Sequence, residues 1–497
     1  MGKVYLIGAG PGDEELITLK AVRKLRECTV VMYDRLAGTG VLKYLNDHCK
    51  IYYCGKEPGC HYKSQDEINA MLIKLAKEGH IVGRIKGGDP YIFGRGGEEA
   101  LALLKEGIEF EVIPGITSPI SVLNYAGIPV THRKIAQSFH VFTGKTADKL
   151  KIDWNAAARI GGTLIFLMGF KNLSIICGNL MRNGMRENTP CAVVMNGTTA
   201  KQKKIVGQLN DICEKASKAS LSSPCIIVIG EVVGFSEQLN WYEKKPLFGR
   251  NVCIARSKTQ SRVMRQKLLD LGAEVTEIHS IEIKYTSENI KKYINRLSDY
   301  DYIVFTSVNG VNSFFDRLLS ENYDIRKIKG KFTAIGPATE KAIKQRGIIP
   351  EMVAEKFVAE SLHDKMKSFI KKGDKIFIPR SKNSRPYLAE TLRKEGCIVD
   401  ECYTYETVLG KLPHGECFDN VDIVVFTSPT TVKNMICLVG IEAIRQKKVV
   451  AIGPITGKEL EKHDIYYHMS QEYTTKGVID TIVYTMHNSQ CTIHSDI

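Results

Sequence analysis

Residues 81–99 read IVGRIKGGDPYIFGRGGEE. The apolar run at 81–86 predicts a buried strand, and the spacing of apolar residues over 97–106 predicts an amphipathic helix. Five of the fourteen residues 86–99 are glycine, a density that no regular element tolerates, so an irregular loop must join the two. Such a loop is costly in conformational entropy and is typical of a segment that binds a ligand through its backbone. A merely flexible connector is the alternative.

Strand-like and helix-like segments alternate along almost the whole chain. A second helical pattern covers 65–78, and short β-branched runs are found at 3–8, 29–34, 81–86, 163–168, 226–230, 251–255, 302–306, 375–379 and 422–427. This alternation predicts α/β domains with largely parallel sheets. At 497 residues the chain is too long for one hydrophobic core, so about two to four domains are expected.

The second half of the chain contains an internal repeat. FTSVNGV at 305–311 recurs as FTSPTTV at 426–432, and AIGPATEKAI at 334–343 recurs as AIGPITGKEL at 451–460. The repeat predicts two similar α/β lobes with a ligand cleft between them. The segment WYEKKPLFGR at 241–250, with its charges, proline and glycine, is typical of a linker that precedes this half.

Composition limits the class of protein. The first apolar run is too short for a signal peptide, and no apolar stretch approaches the ~18 residues of a membrane span, which predicts a cytoplasmic protein that does not associate with membranes. The net charge of +14 suits a polyanionic partner or simply solubility.

The 14 cysteines form no CxxC pair. Cys49, Cys54, Cys60 and His61 fit no zinc or iron–sulfur spacing, so ordinary thiols are favoured over a metal site.

A second glycine-rich turn, GAGPGD at 8–13, follows the first strand. It differs from a dinucleotide-binding fingerprint because Asp13 stands where the third glycine belongs and Pro11 has no backbone N–H. An ordinary strand–helix turn is the alternative to a ligand-binding one.

The first half resembles the uroporphyrinogen-III C-methyltransferases of the tetrapyrrole methylase family. The resemblance covers about 1–243 and rests on GAGPGD, KGGDPYIFGRGGEE, VIPGITS at 112–118, GIPVTHR at 127–133, LMGF at 167–170, NGTT at 196–199 and IGEVV at 229–233. It implies a two-lobed α/β fold that binds S-adenosyl-L-methionine and acts as a homodimer. The implied cofactor contacts are Pro11, Gly87, Gly88, Asp89, Ile92, Thr117, Ser118, Met168 and Gly197.

The same resemblance implies catalytic residues. Asp34 and Lys56 match the family's proposed acid–base pair, and Arg95 and Glu98 match residues that face the tetrapyrrole. From the residues alone, Asp34 reads as a helix cap and Lys56 as a solvated lysine. Pro119 and Lys145 depart from the family's usual residues, which leaves details of substrate contact open.

The second half resembles the uroporphyrinogen-III synthases over about 248–485, through the repeat described above and ECYTYETV at 401–408. Tyr405 matches the family's tyrosine, a candidate acid for hydroxyl departure. The implied substrate contacts are Ser307, Thr339, Ser428 and Thr456, with Arg256, Arg380 and Arg385 as further candidates. A helix N-cap is the alternative for each serine and threonine, although a cap and an anion site can coincide.

Together the resemblances imply an enzyme with two activities. Residues 251–485 would close hydroxymethylbilane to uroporphyrinogen III, and residues 1–243 would methylate that product twice to precorrin-2, for cobalamin or siroheme. A linker is expected at 244–250 and a tail at 486–497. The alternative is an RNA methyltransferase with a non-catalytic anion-binding module. No basic stripe with interleaved aromatics supports it, so no nucleic-acid partner is expected.

Overall fold

The computed structural model describes residues 2–38, 40–46, 48–55, 64–145, 152–255, 262–355, 358–410, 412 and 418–487. The chain divides into two compact units. Unit 1 comprises 1–252, 264–275 and 483–497, and unit 2 comprises 253–263 and 276–482. The chain therefore leaves unit 1 after 252 and returns to it at 264. In the returning segment Arg265 pairs with Glu14, and the side-chain amide of Gln266 donates to Glu15 at 3.1 Å.

The first sheet of unit 1 is parallel throughout, with the strand order β3-β2-β4-β1-β5. Its elements are β1 (Lys3–Gly8), α1 (Leu19–Glu27), β2 (Val30–Tyr33), β3 (Lys50–Tyr53), α2 (Gln65–Lys77), β4 (Ile81–Lys86), α3 (Gly96–Lys105), β5 (Phe110–Ile113) and α4 (Ser118–Tyr125). The interior strand β1 is buried on both faces, because helices cover both sides of the sheet. All five strands therefore end at one edge, where ligands of such sheets bind.

The second sheet of unit 1 is mixed, with the order β6-β7-β10-β8-β9. Its elements are β6 (Phe139–Thr143), α5 (Trp154–Arg159), β7 (Thr163–Leu167), α6 (Leu173–Arg182), β8 (Pro190–Met195), β9 (Lys203–Gln208), α7 (Ile212–Lys218) and β10 (Cys225–Ile229). Only β6 and β7 pair in parallel, and the other three pairings are antiparallel. The expectation of largely parallel pairing is wrong for this sheet. The connection at 196–202 is too short for a crossover, so β8 and β9 form a hairpin.

Two further sheets follow. Their elements are β11 (Asn251–Ala255), α8 (Arg262–Asp270), β12 (Glu274–Ile278), β13 (Ile281–Tyr285), β14 (Tyr302–Phe305), α9 (Val308–Ser320), β15 (Lys331–Ala334), α10 (Pro337–Lys344), β16 (Met352–Val353), α11 (Ala359–Lys367), β17 (Lys375–Ser381), α12 (Tyr387–Lys394), β18 (Ile398–Leu409), β19 (Ile423–Phe426), α13 (Pro429–Val439), α14 (Ile441–Arg445), β20 (Lys448–Ala451), α15 (Pro454–Glu461), β21 (His468–Met469) and α16 (Thr475–His487). The strand orders are β12-β11-β19-β20-β21 and β13-β18-β17-β14-β15-β16.

The internal repeat becomes a structural repeat in these sheets. In one copy, β14 leads into α9 and pairs in parallel with β15, which leads into α10. In the other, β19 leads into α13 and pairs in parallel with β20, which leads into α15. The two copies lie in different sheets, so the chain forms two similar lobes, each with its own buried apolar core.

No helix among the described residues is both long enough and apolar enough to cross a bilayer.

Candidate active sites

Three loops that follow neighbouring strands of the first sheet touch through their backbones. Gly10 and Gly88 exchange backbone hydrogen bonds, with N···O distances of 3.2 and 2.6 Å. A Cβ added to Gly115 would lie 2.2 Å from the carbonyl oxygen of Gly88 and 2.7 Å from the Cα of Gly8. Only glycine fits at such distances. We call this arrangement of Gly8, Gly10, Gly88 and Gly115 the glycine cradle.

Several predicted cofactor contacts meet beside the cradle. One carboxylate oxygen of Asp89 accepts from the backbone N–H of Gly115 at 3.1 Å, and the other accepts from that of Tyr91 at 2.8 Å. A Cβ on Gly88 would lie 3.8 Å from the nitrogen of Ser118 and 3.9 Å from the Cα of Thr117. These two residues begin α4, so backbone N–H groups of its first turn are available near the cradle. Gly87 packs just as closely, since its Cβ would lie 2.6 Å from the carbonyl oxygen of Leu36.

The turn at 10–13 also reaches the loop after β8. The backbone N–H of Asp13 donates to Thr198 Oγ1 at 3.1 Å, and the hydroxyl of Tyr125 donates to Asp13 Oδ2 at 2.7 Å. Burial, reinforced by this contact with Asp13, raises the pKa of Tyr125. A Cβ on Gly12 would lie 3.3 Å from the carbonyl oxygen of Gly197. The turn that contains Pro11 is thus fixed between the two lobes of unit 1, near Gly197.

Two other predicted cofactor contacts are apolar and open to solvent. Ile92 lies in the exposed run Tyr91–Ile92–Phe93, and its side chain is 43% accessible. Met168 follows β7 with a φ of +57° and is 49% accessible. A positive φ is rare for a residue with a side chain, and it is typical of sites where a ligand dictates the local geometry.

A network of charged side chains lies at the end of β2 and β4. Arg84 donates through Nη2 to Asp34 Oδ2 and through Nε to Glu99 Oε1, both at 3.2 Å. The same Glu99 oxygen also accepts from Lys86 Nζ at 2.8 Å and from Gln65 Nε2 at 3.1 Å. Glu99 is fully buried, and Arg84 and Lys86 are nearly so. Among the residues that the structure describes, Asp34 Oδ1 and Glu99 Oε2 are buried oxygens without a hydrogen-bond partner.

The pKa values of the two cations in this network are shifted in opposite directions. Burial, followed by repulsion from Arg84, lowers the pKa of Lys86. Burial also opposes the charge of Arg84, but the attraction of Glu99 and Asp34 outweighs it and raises the pKa of that guanidinium. Arg84 is therefore a permanent cation that joins two carboxylates. Of these residues, only Asp34 was predicted from the sequence. The overlooked signal was a pair of cations at alternate positions of an otherwise apolar strand, which places both on one face.

The remaining predicted residues of this half have other surroundings. Arg95 begins α3 with a φ of +59° and forms a two-point pair with Glu98 at 2.7 and 2.8 Å, half exposed to solvent. Lys56 lies outside the described residues, as do Cys60 and His61. Asp34 does precede a 3-10 turn, but its side chain forms no cap hydrogen bond. Pro119 lies in the first turn of α4, where its missing N–H costs nothing.

In the second half, Tyr405 and Ser307 lie together. Tyr405 is on β18, only 6% accessible, and its hydroxyl donates to Ser307 Oγ at 2.8 Å. Ser307 is also the N-cap of α9, because its Oγ accepts the backbone N–H of Gly310 at 3.0 Å. The structure thus brings together two residues that lie 98 positions apart in the sequence.

The other predicted contacts of this half lie at equivalent helix starts. Ser428 is the N-cap of α13, in a capping box with Thr431. Thr339 and Thr456 are buried in the first turns of α10 and α15. The cap interpretation therefore applies to the serines, while glycines occupy the cap positions before these two threonines. Helix N-termini after parallel strands favour anions, such as the carboxylates of a tetrapyrrole.

Two of the candidate arginines are already paired. Arg380 is 4% accessible and donates to Glu401 at 2.5 Å and to the carbonyl oxygen of Arg385 at 2.9 Å. It therefore stabilises the loop after β17. Arg385 forms a two-point pair with Glu360 at 2.9 and 3.2 Å. Arg256 lies outside the described residues.

Known proteins match both halves. The family model of the tetrapyrrole (corrin/porphyrin) methylases matches residues 3–213, and that of uroporphyrinogen-III synthase HemD matches residues 262–480. A porphyrin biosynthesis protein HemD from Ruminiclostridium josui is 34% identical over 496 residues, which covers 97% of this chain and 98% of that protein. A uroporphyrinogen-III C-methyltransferase from Bacillus subtilis (strain 168) is 40% identical over 355 residues, covering 70% and 72%.

Among solved structures, a uroporphyrin-III C-methyl transferase from Thermus thermophilus, crystallised with S-adenyl homocysteine, is 39% identical. The match covers 47% of this chain and 99% of that one, with a TM-score of 0.41.

Proposed function

The chain belongs to the family in which a tetrapyrrole methylase is followed by a uroporphyrinogen-III synthase, and we propose that it catalyses two consecutive steps. Its second half closes hydroxymethylbilane to uroporphyrinogen III with loss of water. Its first half transfers two methyl groups to that product and forms precorrin-2. The observation that carries the proposal is that both family models match this one chain, which also matches a porphyrin biosynthesis protein HemD almost from end to end.

The first half offers a site that suits S-adenosyl-L-methionine. When bound, this cofactor supplies an electrophilic methyl group. The glycine cradle presents backbone atoms at the ends of three strands and excludes side chains there, as the close approach of a ligand to the backbone requires. We propose that the cofactor contacts are Pro11, Gly87, Gly88, Asp89, Ile92, Thr117, Ser118, Met168 and Gly197.

Methyl transfer to an electron-rich pyrrole carbon depends mainly on alignment, which is worth about 7–11 kcal/mol in well-oriented reactions. After the transfer, the methylated macrocycle must lose a proton. Asp34 is the proposed acceptor, because its side chain is partly open to solvent and, among the described residues, only its Oδ2 is engaged, by Arg84. Lys56 keeps its proposed role as the partner acid. Arg95 and Glu98 are proposed to face the carboxylates of the substrate, with the Arg95 guanidinium suited to two-point contacts.

In the second half, Tyr405 is the proposed acid. Its hydroxyl would donate a proton to the departing hydroxyl group of hydroxymethylbilane, which then leaves as water. Carboxylates of the substrate would be held at the helix starts at Ser307, Thr339, Ser428 and Thr456. The linear hydroxymethylbilane would thereby fold into the geometry in which its last ring is inverted. The Tyr405–Ser307 hydrogen bond supports this assignment, since it links the acid to one of these helix starts.

The proposed functional boundaries extend beyond the family matches at 3–213 and 262–480. We propose a methylase domain at 1–243, a linker at 244–250, a synthase domain at 251–485 and a tail at 486–497. We also propose that the enzyme is a cytoplasmic homodimer. Light scattering of the purified protein tests the dimer, and fractionation of cells tests the location.

Incubation of the purified protein with hydroxymethylbilane without oxygen, with and without S-adenosyl-L-methionine, tests both activities. Without the cofactor we expect uroporphyrinogen III, resolved from the I isomer by chromatography. With it, mass spectrometry should show a product heavier by two methyl groups. Formation of the I isomer alone would contradict the synthase assignment, and an unmethylated product would contradict the methylase assignment.

A further inference from the structure

Glu99 is the centre of the charged network beside Asp34, and it contacts several donors at once. Its Oε1 accepts from Arg84 Nε, Lys86 Nζ and Gln65 Nε2, at 3.2, 2.8 and 3.1 Å. Three elements therefore meet at one oxygen: β4 supplies the two cations, α3 supplies the carboxylate and α2 supplies the amide. Arg84 continues the chain of contacts to Asp34, at 3.2 Å.

The formal charges of the network balance. Two cations face two carboxylates, so the burial of each charge depends on the others. Stability alone does not account for such a network, because buried ion pairs can often be replaced by apolar side chains without loss. Within the part of the chain that the structure describes, Asp34 Oδ1 and Glu99 Oε2 are buried without a hydrogen-bond partner. A buried acceptor of this kind in a native protein calls for an explanation, and a catalytic role is one of them.

The hydrogen bonds of the Arg84 guanidinium suit it to orient the Asp34 side chain, in addition to balancing its charge. Its Nε is engaged by Glu99 and its Nη2 by Asp34, while Nη1 donates to the carbonyl oxygen of Ile85 at 3.2 Å. A planar guanidinium held at three points has little freedom to rotate, so it presents the Asp34 carboxylate with a donor in a fixed position. A lysine ammonium at this position has no such fork.

We propose that Arg84 and Glu99 are positioning residues for the methyl-transfer reaction. Glu99 fixes Arg84, and Arg84 fixes Asp34 through Oδ2, so that the carboxylate is oriented toward the carbon that loses its proton. Neither residue touches the substrate. This inference rests on the proposed function, in which Asp34 accepts that proton.

The two activities of the chain make the test specific. Arg84→Lys, Glu99→Gln and Asp34→Asn are each assayed with uroporphyrinogen III and S-adenosyl-L-methionine, which bypasses the second half. The rate of ring closure by each of these variants reports whether unit 2 is intact. Calorimetry gives the dissociation constant of the cofactor. Lys204→Met is the matched control, because Lys204 is a buried, ion-paired lysine of unit 1 outside the network.

We expect Arg84→Lys and Glu99→Gln to lower kcat by about 10- to 100-fold, as happens when the partners that orient a metal ligand are replaced. KM and the cofactor dissociation constant should stay within about twofold, since neither residue binds the substrate. Arg84→Ala should regain part of its kcat when ethylguanidinium is added. A residue that only stabilises the fold would instead lose cofactor affinity and thermal stability together, without rescue.

Three results would overturn the inference, and they are distinguishable. If Asp34→Asn is inactive while the Arg84 and Glu99 variants keep full kcat, the positioning role is wrong and the role of Asp34 stands. If Asp34→Asn keeps full activity, both roles are wrong. If the unaltered enzyme does not methylate uroporphyrinogen III at all, the proposed function itself fails.

Discussion

Tyr405 is a polar residue held in a buried position by a single hydrogen bond from its hydroxyl, to Ser307. Tyr405→Phe removes the proposed acid and keeps the ring. Because acid catalysis by a positioned side chain typically contributes 10²–10⁴-fold, we expect ring closure to slow by at least about 100-fold. The measurement is the initial rate of uroporphyrinogen III formation.

Tyr403→Phe is the control for that variant. Tyr403 lies on the same strand but is 44% accessible, so its loss should leave the rate unchanged. Methylation of added uroporphyrinogen III should be normal in both variants. A Tyr405→Phe enzyme with the full rate of ring closure would exclude this tyrosine as the acid.

Cysteine reactivity gives a second test at the scale of single residues. Burial raises the pKa of the Cys28 thiol to about 12, and it raises that of Cys402 to about 12 as well. Cys437, by contrast, is exposed. At neutral pH we expect a thiol reagent to modify Cys437 quickly and the two buried thiols only after unfolding, because the thiolate is the reactive form. Peptide mapping by mass spectrometry measures the order, and early modification of Cys28 would contradict the packing of α1.

The family resemblance implied Asp89, Thr117 and Ser118 as cofactor contacts through contiguous motifs. The structure places all three beside the glycine cradle, and their role as cofactor contacts stays a prediction. The sequence did not reveal that Glu99 contacts Lys86 and Arg84, because that contact depends on how α3 packs on β4. The surroundings of Arg380 could not be predicted for the same reason. Its pairing with Glu401 requires β17 and β18 to be neighbours.

At the scale of elements, the glycine cradle is the feature that leaves no room for a side chain. Gly115→Ala would place a Cβ 2.2 Å from the carbonyl oxygen of Gly88, so one loop must move. We expect the free energy of unfolding to fall by about 1–3 kcal/mol, as for other overpacked sites, and cofactor affinity to fall with it. Urea denaturation and calorimetry measure the two effects.

Gly178→Ala is the matched control for the cradle. Gly178 lies within α6, where a Cβ meets nothing within 4 Å. Alanine is the better helix former, so this change should stabilise the protein by up to about 1 kcal/mol. Cofactor binding should not change. If Gly115→Ala behaves like Gly178→Ala, the three loops are not in the contact described here.

Elements themselves were well predicted from the sequence. β1, β4 and β11 have the predicted bounds, since each is a short apolar run between turn residues. Strand direction was not predictable in the same way. The apolar pattern of β8 is that of any buried strand, and its antiparallel pairing with β9 depends on a short turn.

At the scale of the whole molecule, the charge of +14 is the feature that a measurement can address most directly. Uroporphyrinogen III carries eight carboxylates, so its attraction to the protein should weaken as salt screens it. Between about 0.05 and 0.3 M salt we expect KM for uroporphyrinogen III to rise several-fold, with little change in kcat. KM for S-adenosyl-L-methionine, which is not a polyanion, is the internal control. If the KM for uroporphyrinogen III does not change with salt, the excess charge serves only solubility.

The chain's return to unit 1 at 264–275 affects the order in which the protein is completed. A ribosome releases the polypeptide from its amino end, so unit 1 still lacks Arg265 and Gln266 when the last strand of its second sheet has emerged. Glu14, which also pairs with Lys43, and Glu15 therefore gain these two contacts only when α8 has been translated. Unit 1 also includes 483–497, so it is completed only after most of unit 2 has been translated.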